Sequence, residues 1–368
     1  MSTIPTRKQQ KTELLDNVID FGKQLSAAIL RSRKGSFTEL SRLLRFKAGS
    51  KGFERQYKKL LPLLEDLKTA FLREVKKQFP ETGLRLGVID DSSIKKSGKK
   101  FPKQKIHHDH CTNSFYSGMK VLSSLVYQKG KVATISSRIV GKDDNKLEVA
   151  KEETTKLVMG LFVDVMLFDS WYCKPVLLEH MKNYNQLFVS RVRCNSKIFI
   201  DGKELRLDKF AEGLQHKHFQ QITIHGKSYW VKDLVLDFKS YGKIRVIISK
   251  EGQYEKPIFI VTNALQFSAQ FVVKLYLKRF AIEIFFKDAK QFLNFETFCC
   301  RHPDKWEMHF LVTHIIHWAI QKRNSISKTI CAIREDMGAC LLFINRLSTI
   351  RDLFQRLRRV VQISKKSV

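Results

Sequence analysis

Apolar positions along the chain fall into three regimes. From 1 to 80 they recur at helical spacing, with Leu14, Val18, Phe21, Leu25 and Ile29 on one stripe. Ser36-Phe37-Thr38-Glu39 has the capping-box pattern and opens a second helix through Leu44. Gly49-Ser50-Lys51-Gly52 breaks the chain, and Tyr57 to Val75 is helical again, with Pro62 inside or kinking it. Short helix, glycine turn and basic helix fit either a helix-turn-helix reader of DNA or a plain helical bundle.

From Leu84 the period changes to that of strands. Leu84-Arg85-Leu86-Gly87-Val88-Ile89 runs into Asp90-Asp91-Ser92-Ser93. Ser114 to Tyr127 and Lys131 to Val140 form a hairpin about Lys129-Gly130, and a charged helix follows from Asp143 to Lys156. Asp164 to Phe168 is a short buried strand ending in Asp169-Ser170-Trp171-Tyr172, with a helix from Lys174 to Met181. Leu187 to Val192, Lys197 to Ile200, Gln221 to Ile224, Tyr229 to Leu236, Ile244 to Ser249 and Ile258 to Val261 read as strands. Asp201-Gly202, His225-Gly226 and Tyr241-Gly242 supply their turns. Helical spacing then returns: Tyr276 to Lys290, an amphipathic Trp306 to Arg323, and Leu341 to Val361. The last ends in Arg356, Arg358 and Arg359, either a phosphate-binding strip or a solvated helix end.

Charge adds a partner to this picture. Against 36 Asp+Glu stand 67 Lys+Arg, a net +31, which implies a polyanion. Nucleic acid suits it better than a membrane, because no long apolar span or amphipathic anchor is visible. The seven cysteines show no C-x-x-C spacing, and the polar start from Met1 to Lys11 has no signal-peptide pattern. Both point to a cytoplasmic protein with reduced thiols. The connection holding Lys95, Lys96, Lys99, Lys100, Lys103 and Lys105 reads as a loop able to lie along phosphates. His107, His108, His110 and Cys111 crowd four ligand types into five residues. That is too tight for one tetrahedral ion, so they read as a loop at the lip of a site.

Read as a helix, 276 to 290 places Tyr276, Arg279, Glu283, Lys287 and Lys290 within a sector of roughly 80°. The remaining faces are apolar: Phe280, Ile282, Ile284, Phe285 and Phe286. A lone carboxylate among cations on that stripe is either a set of surface ion pairs or a site.

The spacing Tyr276, Arg279, Glu283, Lys290 resembles the Tyr-2-Arg-3-Glu-6-Lys signature of DDE transposases of bacterial insertion sequences, the insertion-sequence-four type. Asp90-Asp91-Ser92 and Asp169-Ser170-Trp171-Tyr172 match that family's two upstream aspartate segments, and Thr262-Asn263 its lead-in. The likeness covers roughly 84 to 320. It implies an α/β fold: a ribonuclease-H-like core of mixed sheet flanked by helices, a β insertion, and helical terminal regions. The expected division is 1–80 for recognition of the element's ends, 81–186 and 265–325 for the core, 187–264 for the insertion, and 326–368 for basic C-terminal helices.

The implied function is a transposase that cleaves the ends of its insertion sequence and joins the 3′-hydroxyls to target DNA. Asp90, Asp169 and Glu283 would be catalytic and hold two Mg²⁺ ions, with Mn²⁺ able to substitute. Asp91-Ser93 satisfies the same spacing as Asp90-Ser92, so Asp91 stands as the alternative first ligand. Tyr276, Arg279, Lys287 and Lys290 would bind DNA. The expected partners are the terminal inverted repeats and target DNA, bound by a homodimer in the nucleoid of a bacterial cytoplasm, with no membrane. Two other readings are a ribonuclease-H-like nuclease without strand transfer and a non-catalytic DNA-binding descendant.

Overall fold

The computed structural model describes residues 20–321, apart from 81, 99, 100, 102, 110, 111, 142, 201, 240, 253 and 254, together with Cys340 and Ile344. Leu14, Val18, Lys99, Lys100, His110, Cys111, Arg323 and the expected helix from Leu341 to Val361 therefore lie outside the described residues, apart from Ile344.

Among the described residues four helices come first: α1 (20–31), α2 (Phe37–Leu43), α3 (Gly49–Leu60) and α4 (Leu64–Gln78). Ser36 caps α2 by accepting from the Glu39 backbone N–H. The Glu39 carboxylate does not close the box; it accepts from the Ser32 hydroxyl and the Lys34 N–H, 2.7 Å each. The helix expected from Tyr57 to Val75 is two helices joined by the 3-10 turn Leu61–Leu63, where Pro62 has no N–H to give. Phe53 and Tyr57 of α3 face the core, while Lys51, Arg55, Lys58 and Lys59 are exposed.

The strands are β1 (Leu86–Lys95), β2 (Lys105–Asp109), β3 (Ser114–Gln128), β4 (Lys131–Val140), β5 (Val165–Phe168), β6 (Leu187–Val192), β7 (Lys197–Ile200), β8 (Lys203–Arg206), β9 (Gln220–Ile224), β10 (Lys227–Phe238), β11 (Gly242–Lys250) and β12 (Ile258–Thr262). Between and after them run α5 (Lys146–Leu161), α6 (Pro175–Asn183), α7 (Leu207–Glu212), α8 (Ala269–Leu277), α9 (Phe280–Phe292) and α10 (Pro303–Gln321).

The twelve strands of the described residues belong to one mixed sheet, ordered β2-β3-β1-β5-β6-β12-β11-β10-β7-β8, with β4 also on β3 and β9 on β10. β4, β3 and β1 are antiparallel, and β1, β5 and β6 are parallel. This is the strand order of a ribonuclease-H-like core. The strands between β6 and α8 extend the same sheet, because β12 pairs antiparallel with β6. Gly87 permits the close approach that starts the parallel part: a Cβ there would meet the Met166 sulfur at 2.4 Å.

α10 is buried on nearly every side, including His309, His314 and His317. The sequence reads it as amphipathic because it counts these rings as polar. In the fold α10 lies between β4 and the N-terminal helices, so both of its faces are interior. Tyr57 donates 3.0 Å to the Lys305 carbonyl, Phe71 packs edge-on to Trp318, and Phe37 packs against Phe298. Asn294 donates 2.9 Å to the Ile29 carbonyl.

Candidate active site

β1 runs past the point where the sequence pattern ends it. Its antiparallel partner β3 follows it to Lys95, opposite Gly118, whereas its parallel partner β5 leaves it at Val88. Asp90 and Asp91 therefore sit mid-strand on the β3 side and beyond the last parallel pair on the β5 side. Asp169 directly follows β5, so carboxylates from two parallel strands meet at their carboxyl ends, the usual crevice of such sheets.

The two adjacent aspartates face opposite ways. Asp90 meets the helical layer of α9: its Oδ2 accepts 2.9 Å from Nη1 of Arg279, whose Nη2 donates 2.6 Å to Oε1 of Glu283. Burial pushes the Asp90 carboxyl up to about 7; Arg279 opposes this, while the charges of Asp91 and Asp169 add to it. Asp91 meets α5 instead. Its Oδ1 accepts 2.5 Å from Lys146 and 2.7 Å from the Tyr172 hydroxyl, and Lys120 lies 3.6 Å from Oδ2. Burial raises Asp91, but Lys146, Tyr172 and Lys120 more than offset it and hold the carboxyl below its usual range.

The Asp169 segment is tied down by the same contacts. Tyr172 N–H closes a turn onto the Asp169 carbonyl at 2.9 Å. Lys146 lies 3.3 Å from the centroid of the Trp171 ring, and Lys174 lies over the same ring at 4.5 Å. Lys146 and Lys120 carry no local sequence signal, since their partners come from other elements.

The stripe expected on one helix is divided between two. Lys278 and Arg279 N–H groups bond back to Leu275 and Tyr276, a tight 3-10 step between α8 and α9. Tyr276 thus lies on α8, and it is buried, as is Arg279. Glu283 and Lys287 are exposed. Lys290 donates 2.7 Å to the Ser93 carbonyl and lies 3.7 Å from Glu296. The apolar remainder is also split: Ile282, Phe285 and Phe286 are buried, whereas Phe280 and Ile284 are exposed.

Asp90, Asp169 and Glu283 offer an all-oxygen donor set, which suits a hard divalent cation. Among the described residues, however, no group of three or more His, Cys, Asp or Glu is arranged to hold an ion. A guanidinium bridges two of the three carboxylates instead. His107 and His108 lie in β2 and not in a loop, and His107 is buried and stacks on Tyr116. No described helix is long and apolar enough to cross a membrane.

The fold places the chain among ribonuclease-H-like α/β proteins. The model of the transposase DDE domain matches residues 81–319, and the chain belongs to that family. It is 27% identical over 133 residues to a probable transposase for insertion sequence element IS5377 from Geobacillus stearothermophilus. The match covers 36% of this chain and 32% of that relative. The NurA nuclease of Sulfolobus solfataricus is a distant structural likeness, with TM-score 0.30 and 11% identity, covering 61% of this chain and 85% of that one.

Proposed function

We propose that the protein is a DNA transposase that cleaves the ends of its insertion sequence and joins the freed 3′-hydroxyls to target DNA. The observation that carries this reading is the family match over 81–319, within which Asp90, Asp169 and Glu283 come from β1, the end of β5 and α9 toward one place. These three residues would hold two Mg²⁺ ions, with Mn²⁺ able to replace them. When bound, such ions activate the attacking hydroxyl and neutralise the leaving oxygen.

The chain's own residues orient the rest. The contacts of Asp91 fix the Asp169 segment, and burial keeps Asp90 out of bulk water. Lys287, on the exposed face of α9, is a phosphate contact, and Lys290 borders it. The exposed Lys51, Arg55, Lys58 and Lys59 of α3 make the N-terminal region a second basic surface, suited to the element's ends. Two ends must be joined in one event, which calls for a homodimer on DNA.

The test is an oligonucleotide carrying one element end, incubated with target plasmid and Mg²⁺ or Mn²⁺. The expected products are nicked ends and end–target joints. Nicking without joints would leave a nuclease. Binding without nicking in either metal would leave a non-catalytic descendant.

A further inference from the structure

Family resemblance gives Arg279 to DNA phosphate, but the guanidinium is enclosed. Its side chain is 9% exposed, and it packs against the rings of Tyr276 and Phe280, 5.6 and 5.3 Å to their centroids. Both terminal nitrogens are engaged, Nη1 with Asp90 and Nη2 with Glu283. Nε is buried and has no hydrogen-bond partner, so what keeps a phosphate off is the enclosure of the group and not a lack of N–H donors. A divalent cation would need the same carboxylate oxygens.

The pair with Glu283 alone would be an ordinary i,i+4 helix contact. Asp90 changes its meaning, because it belongs to β1 and lies 189 residues away in sequence. Arg279 can reach both carboxylates because it stands at the 3-10 step, between Tyr276 and the first turn of α9. Asp169 adds a third negative charge that both Asp90 and Arg279 feel.

We propose that Arg279 is the internal counter-ion of the site, holding Asp90 and Glu283 in the DNA-free protein in direct competition with the divalent cation. This rests on reading those two residues as metal ligands. Arg279 then acts through the carboxylates as a positioning residue, and it sets how readily they accept an ion. Without it, uncompensated carboxylates attract the cation more strongly. Lysine in its place has one charged nitrogen and cannot make the two-pronged bridge, so its effect is intermediate.

The experiment titrates Mn²⁺ into the full-length DNA-free protein and follows the free ion by electron paramagnetic resonance. Circular dichroism checks that each variant is folded. Arg279→Ala is expected to bind Mn²⁺ at least about tenfold tighter than the wild type, with Arg279→Lys in between. Arg279→Gln keeps more of the volume and serves if the alanine variant does not fold. Equal or weaker affinity in a folded charge-removing variant overturns the proposal.

Asp90→Asn and Glu283→Gln, each in the wild type and in the Arg279→Ala background, separate this failure from failure of the site itself. If neither substitution lowers Mn²⁺ affinity in either background, the ion binds elsewhere and both readings fall. If both lower it while Arg279→Ala equals wild type, the metal site stands and only the counter-ion role is lost. A second readout is DNA affinity against salt in EDTA. Arg279→Ala should leave the slope unchanged, and a slope flatter by about one unit would put the guanidinium on phosphate after all.

Discussion

The Tyr172 hydroxyl donates a 2.7 Å hydrogen bond to Asp91, and so ties the turn that carries Asp169 to the strand that carries Asp90. Two proposed metal ligands are thereby held by their neighbour, which is itself the alternative to Asp90. Asp91 also neutralises Lys146, which is largely buried. Asp91→Asn should therefore destabilise the fold by about 3 kcal/mol, the scale for stranding one partner of a buried ion pair. Asp90→Asn should cost less, because Arg279 keeps its pair with Glu283 when the Asp90 charge is removed. Urea denaturation of both variants measures this. In metal-dependent end cleavage the order reverses, with Asp90→Asn inactive and Asp91→Asn impaired. An inactive Asp91→Asn beside a fully active Asp90→Asn would shift the site by one residue.

Glu283→Gln keeps the side-chain volume on an exposed position of α9. DNA binding in a gel shift should survive, and Mg²⁺-dependent nicking should fall by at least about a hundredfold. Near-normal nicking would remove Glu283 from the site.

Lys287 and Lys290 should differ in how they respond to truncation. Lys287 is exposed, so Lys287→Ala should flatten the slope of log affinity against log salt by about 0.9, the loss of one phosphate contact. Lys290 already serves the Ser93 carbonyl and Glu296, so Lys290→Ala should change the slope less and lower thermal stability more. Equal slope changes with no loss of stability would mean that both are simple DNA contacts.

Burial holds His309 and His314 down at about 3, well below the ordinary histidine value. Below about pH 6.5 the unfolded chain takes up protons that the native rings refuse, so stability falls as pH falls. The limiting slope is about 1.4 kcal/mol per pH unit for each ring. Asp90, raised to about 7, works the other way between about 4 and 7, because the native state holds its proton more tightly. Comparing wild type with His314→Gln cancels that opposing share. His314 faces Ser137, Phe285 and His317, and the variant loses packing at every pH. Its stability should nevertheless depend less steeply on pH between about 6 and 4.5. Parallel curves would mean that His314 is not held neutral.

Local chemistry made much of the sheet legible in the sequence. Lys129-Gly130 and His225-Gly226 both adopt positive φ, 47° and 81°, then 50° and 79°, and they join the strands that alternation marks out. What escaped the sequence depends on distant partners. The reach of β1 to Lys95 is set by β3, and the break at Lys278 and Arg279 by a local tightening that apolar spacing does not encode. The parity of Asp90 and Asp91 could not choose between them, since both faces of the sheet are covered. Only the placement of α9 on one face and α5 on the other separates their environments. Lys146 was invisible for the same reason.

The N-terminal helices close on α10 and the segment before it through Tyr57, Phe37, Phe71 and the Asn294–Ile29 bond, and that helix in turn packs on β4. Helices and sheet share one apolar interior, so a cut near residue 80 would lay bare Trp306, Phe298 and Phe310 on one fragment and Phe53 and Phe71 on the other. If the N-terminal helices read the element's ends, as proposed, they cannot be traded wholesale between relatives like a cassette. On that proposal new end sequences are acquired in place, through exposed side chains such as Lys51, Arg55 and Lys59, which can change without opening the shared interior.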